Sequence, residues 1–251
     1  MFKWLHPYAK PEKAYLVSLG IFRILMPISL IGLIVGSIWG LVFAPADYQQ
    51  GDSFRIMYIH VPAAIWSMGI YMSMGIAGFC ALVWQIKLME LSVIAMAPIG
   101  AVFTAVALFT GALWGKPMWG TWWVWDARLT SELILLFLYL GVFALFHSFD
   151  DKRYGAKAAC ILAVIGMVNV PIIHYSVEWW NTLHQGASIT KFDKPSIAGE
   201  MLWPLLINIF SVMLFFIALT CYRFSTEVLR NESHRKWVLD LVNQTKKDKQ
   251  A

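Results

Sequence analysis

The sequence predicts an all-α membrane protein, a single bundle of six transmembrane helices with tryptophan-rich loops on one face. Three observations predict it. The chain of 251 residues is 59% hydrophobic and only 14% charged, where a soluble domain of ordinary composition carries roughly 25% charged residues. Six stretches contain no Asp, Glu, Lys or Arg, and each is close to the ~20 residues that a helix needs to cross a bilayer. The basic residues are also divided unevenly between the two sets of connections. A closed β-barrel would show many alternating segments of about ten residues, which this sequence lacks.

The charge-free stretches are 24–46, 61–86, 91–115, 133–149, 158–177 and 201–222. The first is too long, and its flanks too unlike a cleavage site, for a removed signal peptide. The chain therefore reads as one integral membrane domain, 1–251. Residues 1–20 are expected to form a short amphipathic lead-in, 115–130 a loop, and 223–251 a tail of mixed charge, either a solvated helix or a frayed end. Within the first span Gly32, Gly36 and Gly40 recur every four residues on one face. Small residues at that spacing allow close helix approach, either inside the bundle or against a partner subunit.

Six spans place both termini on one side of the membrane. That side carries 15 of the 20 Lys and Arg residues; the other carries Arg55, Lys116, Arg128, Lys191 and Lys194. The positive-inside rule then puts both termini in the cytoplasm and the second set of loops outside. The net charge of +5 thus reports topology and does not point to nucleic acid. Cys80, Cys160 and Cys221 fall in the inner halves or inner ends of spans, away from any oxidising compartment, and no C-x-x-C occurs.

The outer connections hold the unusual chemistry. Four tryptophans fall in seven residues, Trp119, Trp122, Trp123 and Trp125, and Asp126, Ala127 and Arg128 follow at once. An interfacial aromatic belt explains one or two tryptophans per helix end. Four in one connection call for a large, flat, mostly apolar object, because indole is costly both to leave in water and to bury without a partner for its N–H. The first outer connection ends at His60, near Asp47, Asp52 and Arg55; the third carries Trp179, Trp180 and His184. Each feature alone has an ordinary explanation. A single membrane-edge histidine is usually a packed, hydrogen-bonded one. A single loop arginine usually meets lipid or a neighbour such as Asp126. Asp126 could equally accept an indole N–H. Glu132, four residues after Arg128, suggests a local ion pair in the first turn of a helix, or a proton-relay acid. Together these features match one ligand. Haem iron takes axial imidazole, its macrocycle wants aromatic walls, and its propionates want cations. His60 and His184 are the expected ligands and Arg55 or Arg128 the propionate partner. His174, near the outer end of the fifth span, is the rival to His184. His147 lies at the inner end of the fourth span, and His6 and His234 are cytoplasmic.

The run from Trp119 to Thr130, WGTWWVWDARLT, resembles the signature of the WWD family of haem-handling membrane proteins. His60 in YIHVPAAIW and His184 in HYSVEWWNTLHQG extend the resemblance over 39–186, and within that family to the haem exporter protein C (cytochrome c maturation protein C, CcmC) group. The resemblance implies a bacterial inner-membrane protein that holds haem b at its periplasmic edge. It implies presentation of that haem to a periplasmic haem chaperone, for c-type cytochrome biogenesis. It implies work beside an ABC-type ATPase, a second membrane subunit and a small single-helix membrane protein. His60 and His184 carry over as metal ligands. Trp119, Trp122, Trp123, Trp125 and Asp126 carry over as the haem platform, with Trp114, Arg55 and Arg128 completing the expected cofactor-binding set. No nucleophile, metal-hydrolase motif or phosphate loop is present, so the expected role is non-enzymatic, lyase-like only in the handover. The alternative from another class is an electron-transfer haem b subunit of a respiratory complex. That reading requires a second histidine pair in the inner half of the bundle, where His147 stands alone.

Overall fold

The computed structural model describes residues 10–184, 186 and 196–248. His6, Lys191, Lys194 and the first nine residues of the lead-in lie outside them. Among the described residues eight α-helices follow one another: α1 (Pro11–Ile38), α2 (Met57–Trp84), α3 (Lys87–Trp119), α4 (Ala127–Ser148), α5 (Lys152–Gly166), α6 (Asn169–Trp179), α7 (Gly199–Asn231) and α8 (Lys236–Asp248). They supply six segments long and apolar enough to cross a membrane, the fifth made of α5 and α6 together.

The helices run beyond the charge-free stretches. Four of the spans have 33 residues, about 50 Å at 1.5 Å per residue, against a hydrocarbon core of about 30 Å. Helices of that length reach past the hydrocarbon into the interfacial layers, where charge is tolerated. This corrects three sequence-based boundaries. Residues 11–20 are not a separate lead-in but the first turns of α1, which Pro11 opens at a position where a missing N–H costs nothing. The expected loop 115–130 shrinks to 120–126, because α3 continues through Trp119. It stops at Gly120, whose φ of +75° is readily adopted by glycine and whose N–H bonds the Lys116 carbonyl. The tail is not simply solvated. Residues 223–231 complete α7, and α8 folds back so that Trp237 packs on Tyr15 with ring centroids 5.7 Å apart and Val238 is buried.

α2, α3, α4 and the α5–α6 span form the centre of the bundle. α7 closes it against α2 and α3, and α1 lies along the outside of α7. The main core runs through Ile70, Tyr71, Met74, Val93, Leu135, Tyr139 and Ile173. The glycine stripe of the first span turns inward, its three members facing Ser211, Asn208 and Tyr58, so that stripe packs within the chain.

Prolines shape the spans. Pro62 sits on the sixth residue of α2, beyond its first turn. It cannot donate to the Tyr58 carbonyl. Asn208 of α7 supplies the missing donor, its amide nitrogen 3.2 Å from that oxygen. Pro171 likewise cannot donate to Met167, where the fifth span breaks between α5 and α6. Asn169 at the break donates to the Ser131 carbonyl of α4 at 2.9 Å.

Candidate functional site

A half-open cleft lies at the end of the bundle opposite the two terminal segments. Its walls come from the connection before α2, the adjoining ends of α2, α3 and α4, and the segment after α6. The space between them is about 770 Å³, its open mouth included.

One wall is flat because α3 makes it so. Ala107, Gly111 and Gly115 line the cleft four residues apart on one helix face. A Cβ added at Gly111 would come within 3.0 Å of the His60 ring. Sequence reading missed this stripe, although its spacing repeats that of the glycines in the first span.

His60, in the first turn of α2, faces this wall. Its Nδ1 lies 3.0 Å from the Ala107 carbonyl and 3.1 Å from Thr110 Oγ1. The Thr110 hydroxyl donates 2.6 Å to the Val106 carbonyl, so both neighbours of Nδ1 are acceptors. The proton therefore belongs on Nδ1, and Nε2 keeps its lone pair for a ligand, the arrangement in which a metal-binding imidazole is oriented through its other nitrogen. His184 lies across the cleft, its ring centroid 6.4 Å from that of His60. Two metal–imidazole bonds of about 2.0 Å plus two ring radii come to about 6 Å, so the two rings are spaced to share one ion. Among the described residues no group of three His, Cys, Asp or Glu could hold a metal. A pair suits a metal that brings its other ligands with it, as an iron porphyrin does.

The aromatic residues divide. Trp114 stands edge-on to His60 at 5.7 Å, Trp119 lies 6.2 Å from His184, and Trp123 also lines the cleft. Trp122 and Trp125 are outside its lining, 54% and 74% exposed. Trp125 stands edge-on to Trp123 at 5.3 Å, and Lys116 sits over the Trp122 ring at 5.9 Å. The Trp123 indole N–H is buried with no acceptor among the described residues.

The charged residues divide as well. Arg128 lines the cleft and is held by one bond, from Nη1 to the Ile173 carbonyl at 2.8 Å. The Arg128–Glu132 ion pair suggested by the four-residue spacing is absent among the described residues. Glu132 instead reaches Ser67 Oγ of α2 at 2.7 Å, where it is 7% exposed. Asp126 caps α4, with Oδ1 accepting from the Leu129 N–H at 2.8 Å, and does not line the cleft. Arg55 is also outside the lining. It pairs with Asp52 at 2.9 Å and donates to the Gly40 carbonyl at 3.0 Å, tying the end of α1 to the start of α2. His174 is not in the lining and packs on Tyr175, 4.7 Å between centroids. Gln50, which the sequence did not single out, is in it.

Comparison with known proteins meets this geometry independently. The family model described as heme exporter protein C matches residues 4–239. The chain is 61% identical over 246 residues to "Heme exporter protein C" of Haemophilus influenzae, covering 98% of this chain and 100% of that one. It is 58% identical over 242 residues to the protein of the same name from Escherichia coli strain K12, covering 96% and 98%. To that of Paracoccus denitrificans it is 38% identical over 227 residues, covering 89% and 92%. With a match over nearly its whole length and a cleft of this construction, the chain belongs to the heme exporter protein C family.

Proposed function

We propose that this protein holds haem b in the outer cleft and presents it to a periplasmic haem chaperone for c-type cytochrome assembly, with His60 and His184 as the two axial ligands. The observation that carries the reading is the facing pair of imidazoles, 6.4 Å apart in a half-open cleft between a flat small-residue wall and three indoles. Trp114, Trp119 and Trp123 would lie against the macrocycle, Trp122 and Trp125 would border its exposed rim, and Arg128 would meet a propionate. The chain binds and presents; bond formation would occur on the chaperone. ATP hydrolysis would come from an ABC-type ATPase working with a second membrane subunit and a small one-helix protein. The proposed setting is the bacterial inner membrane with both termini cytoplasmic. The respiratory alternative needs a second ligand pair deeper in the bundle. His147 faces the opposite end, exposed, with Nδ1 bonded to the Phe143 carbonyl at 2.8 Å.

The test is the absorbance spectrum of the purified protein and of its His60→Gly and His184→Gly variants. The expected result is a bis-imidazole haem spectrum in the parent and lower occupancy in each variant, restored in part by added imidazole. An unchanged bis-imidazole spectrum in both variants would overturn the ligand assignment and promote His174.

A further inference from the structure

We infer that Gln50 is a specificity-determining residue, whose amide nitrogen donates a hydrogen bond to a carboxylate of the molecule held in the cleft. The inference rests on the haem-holding function proposed above and extends it to how that cargo's carboxylates are read.

The backbone around Gln50 is held independently of the cleft. Asp47 Oδ1 accepts from the N–H groups of Gln49 and Gln50 at 2.9 and 2.8 Å, Asp47 and Gly51 exchange two backbone bonds, and Ser53 donates to the Gln50 carbonyl. Gly51 closes the turn at φ +56°, a conformation that glycine adopts readily. The side chain is thus delivered from a small, locked turn.

Its amide is oriented as well. Trp114 Nε1 lies 3.0 Å from Gln50 Oε1. An indole nitrogen only donates, so the acceptor must be the amide oxygen, and the NH₂ group is left with both protons. No described residue accepts from it. Gln50 lines the cleft with His60, Arg128 and Trp123, and the Trp114 ring that orients it packs edge-on to His60.

Apart from the Trp123 indole N–H, the other polar groups of the described lining are committed. His60 and His184 are the proposed ligands, and Glu132 is bonded to Ser67. A haem has two propionates, and Arg128 is the one cation in the described lining. Arg55, the second cation expected from sequence, is occupied by Asp52 and the Gly40 carbonyl. Beside the Trp123 indole N–H, the Gln50 amide is the remaining oriented donor of the described lining. A bond from a neutral amide to a carboxylate is charge-assisted and stronger than one to a neutral acceptor, so it favours a free acid over an ester.

The test titrates haem and haem dimethyl ester separately into the purified full-length protein in detergent, reading the Soret band. Gln50→Glu keeps an acceptor for Trp114 and nearly the same shape, but turns a carboxylate toward the cargo. It is expected to weaken haem binding at least about tenfold and to leave ester binding within about twofold of the parent. Unchanged ester binding also shows that the variant is folded. Trp114→Phe keeps an aromatic ring beside His60 and releases the amide, and is expected to lose part of the preference for free haem. Equal weakening of both ligands by Gln50→Glu would reduce Gln50 to a packing residue, and unchanged binding of both would remove it from the site; either result overturns the inference. A parent protein that binds neither ligand with a bis-imidazole spectrum would instead overturn the haem-holding function itself.

Discussion

Asp126 lies in the tryptophan signature, yet its visible work is to cap α4 through the Leu129 N–H. Removing a helix cap costs about 1 kcal/mol. Asp126→Ala is therefore expected to lower the melting temperature in detergent, with Asp126→Ser and Asp126→Asn close to the parent. An Asn or Ser variant that melts like the parent but loses haem would place the residue in the platform. Glu132 and Ser67 make a second case. A buried polar group stripped of its partner costs about 1–3 kcal/mol, while replacing both partners with apolar groups can be nearly neutral. Ser67→Ala should thus destabilise the protein more than the Ser67→Ala/Glu132→Leu double variant does. Thermal unfolding of the two would decide, and a double variant less stable than the single one would deny the bond its structural role.

The deciding feature among the elements is the bare face of α3. Ala107, Gly111 and Gly115 leave a flat wall, and Gly111 approaches His60 so closely that an added Cβ would stand 3.0 Å from its ring. Gly111→Val is expected to lower haem occupancy several-fold while the protein still inserts and melts cooperatively, measured by Soret absorbance per mole of purified protein. Undiminished occupancy would mean that this wall is not where the ring lies. The loop 120–126 predicts a different pattern. Aromatic pair contacts contribute about 0.5–1.5 kcal/mol each beyond burial, so single Trp→Ala changes should be partial. Of the three tryptophans there, only Trp123 lines the cleft, and Trp123→Ala should cost more than Trp122→Ala or Trp125→Ala. The triple change should abolish loading of the chaperone, assayed as covalent haem on it. A triple variant that loads normally would make the loop an interfacial belt only.

For the whole molecule, function depends on which end of the bundle faces out. The cleft, His60, His184 and residues 120–126 share one end, and α8 packs at the other beside the start of α1. The 15 to 5 split of basic residues supports the proposed placing of the cleft on the outside. Propionates at that boundary remain near water, whereas a carboxylate at bilayer depth costs several kcal/mol unless paired. Single cysteines at Thr121 and Gly186 are expected to react with a membrane-impermeant maleimide in intact cells. Reaction only after the inner face is opened would invert the topology and with it the periplasmic handover.

Composition and charge alone determined the fold class and the number of spans, because the cost of placing charge in hydrocarbon acts residue by residue along the chain. They also singled out His60, His184 and Trp119, which the fold gathers around one cleft. Where the helices end was decided by the tertiary structure and by local caps: Pro11, Gly120 and the docking of Trp237 on Tyr15 move boundaries that hydropathy sets only at the hydrocarbon edge. The membership of the cleft was decided there as well. Arg55 and Arg128 look alike in sequence, but one is drawn to Asp52 and the Gly40 carbonyl while the other lines the cleft. Gln50 carries no signal of its own in the chain. Its place follows from the turn at Asp47 and the indole of Trp114, 64 positions away, a proximity that exists only once α2 and α3 have packed.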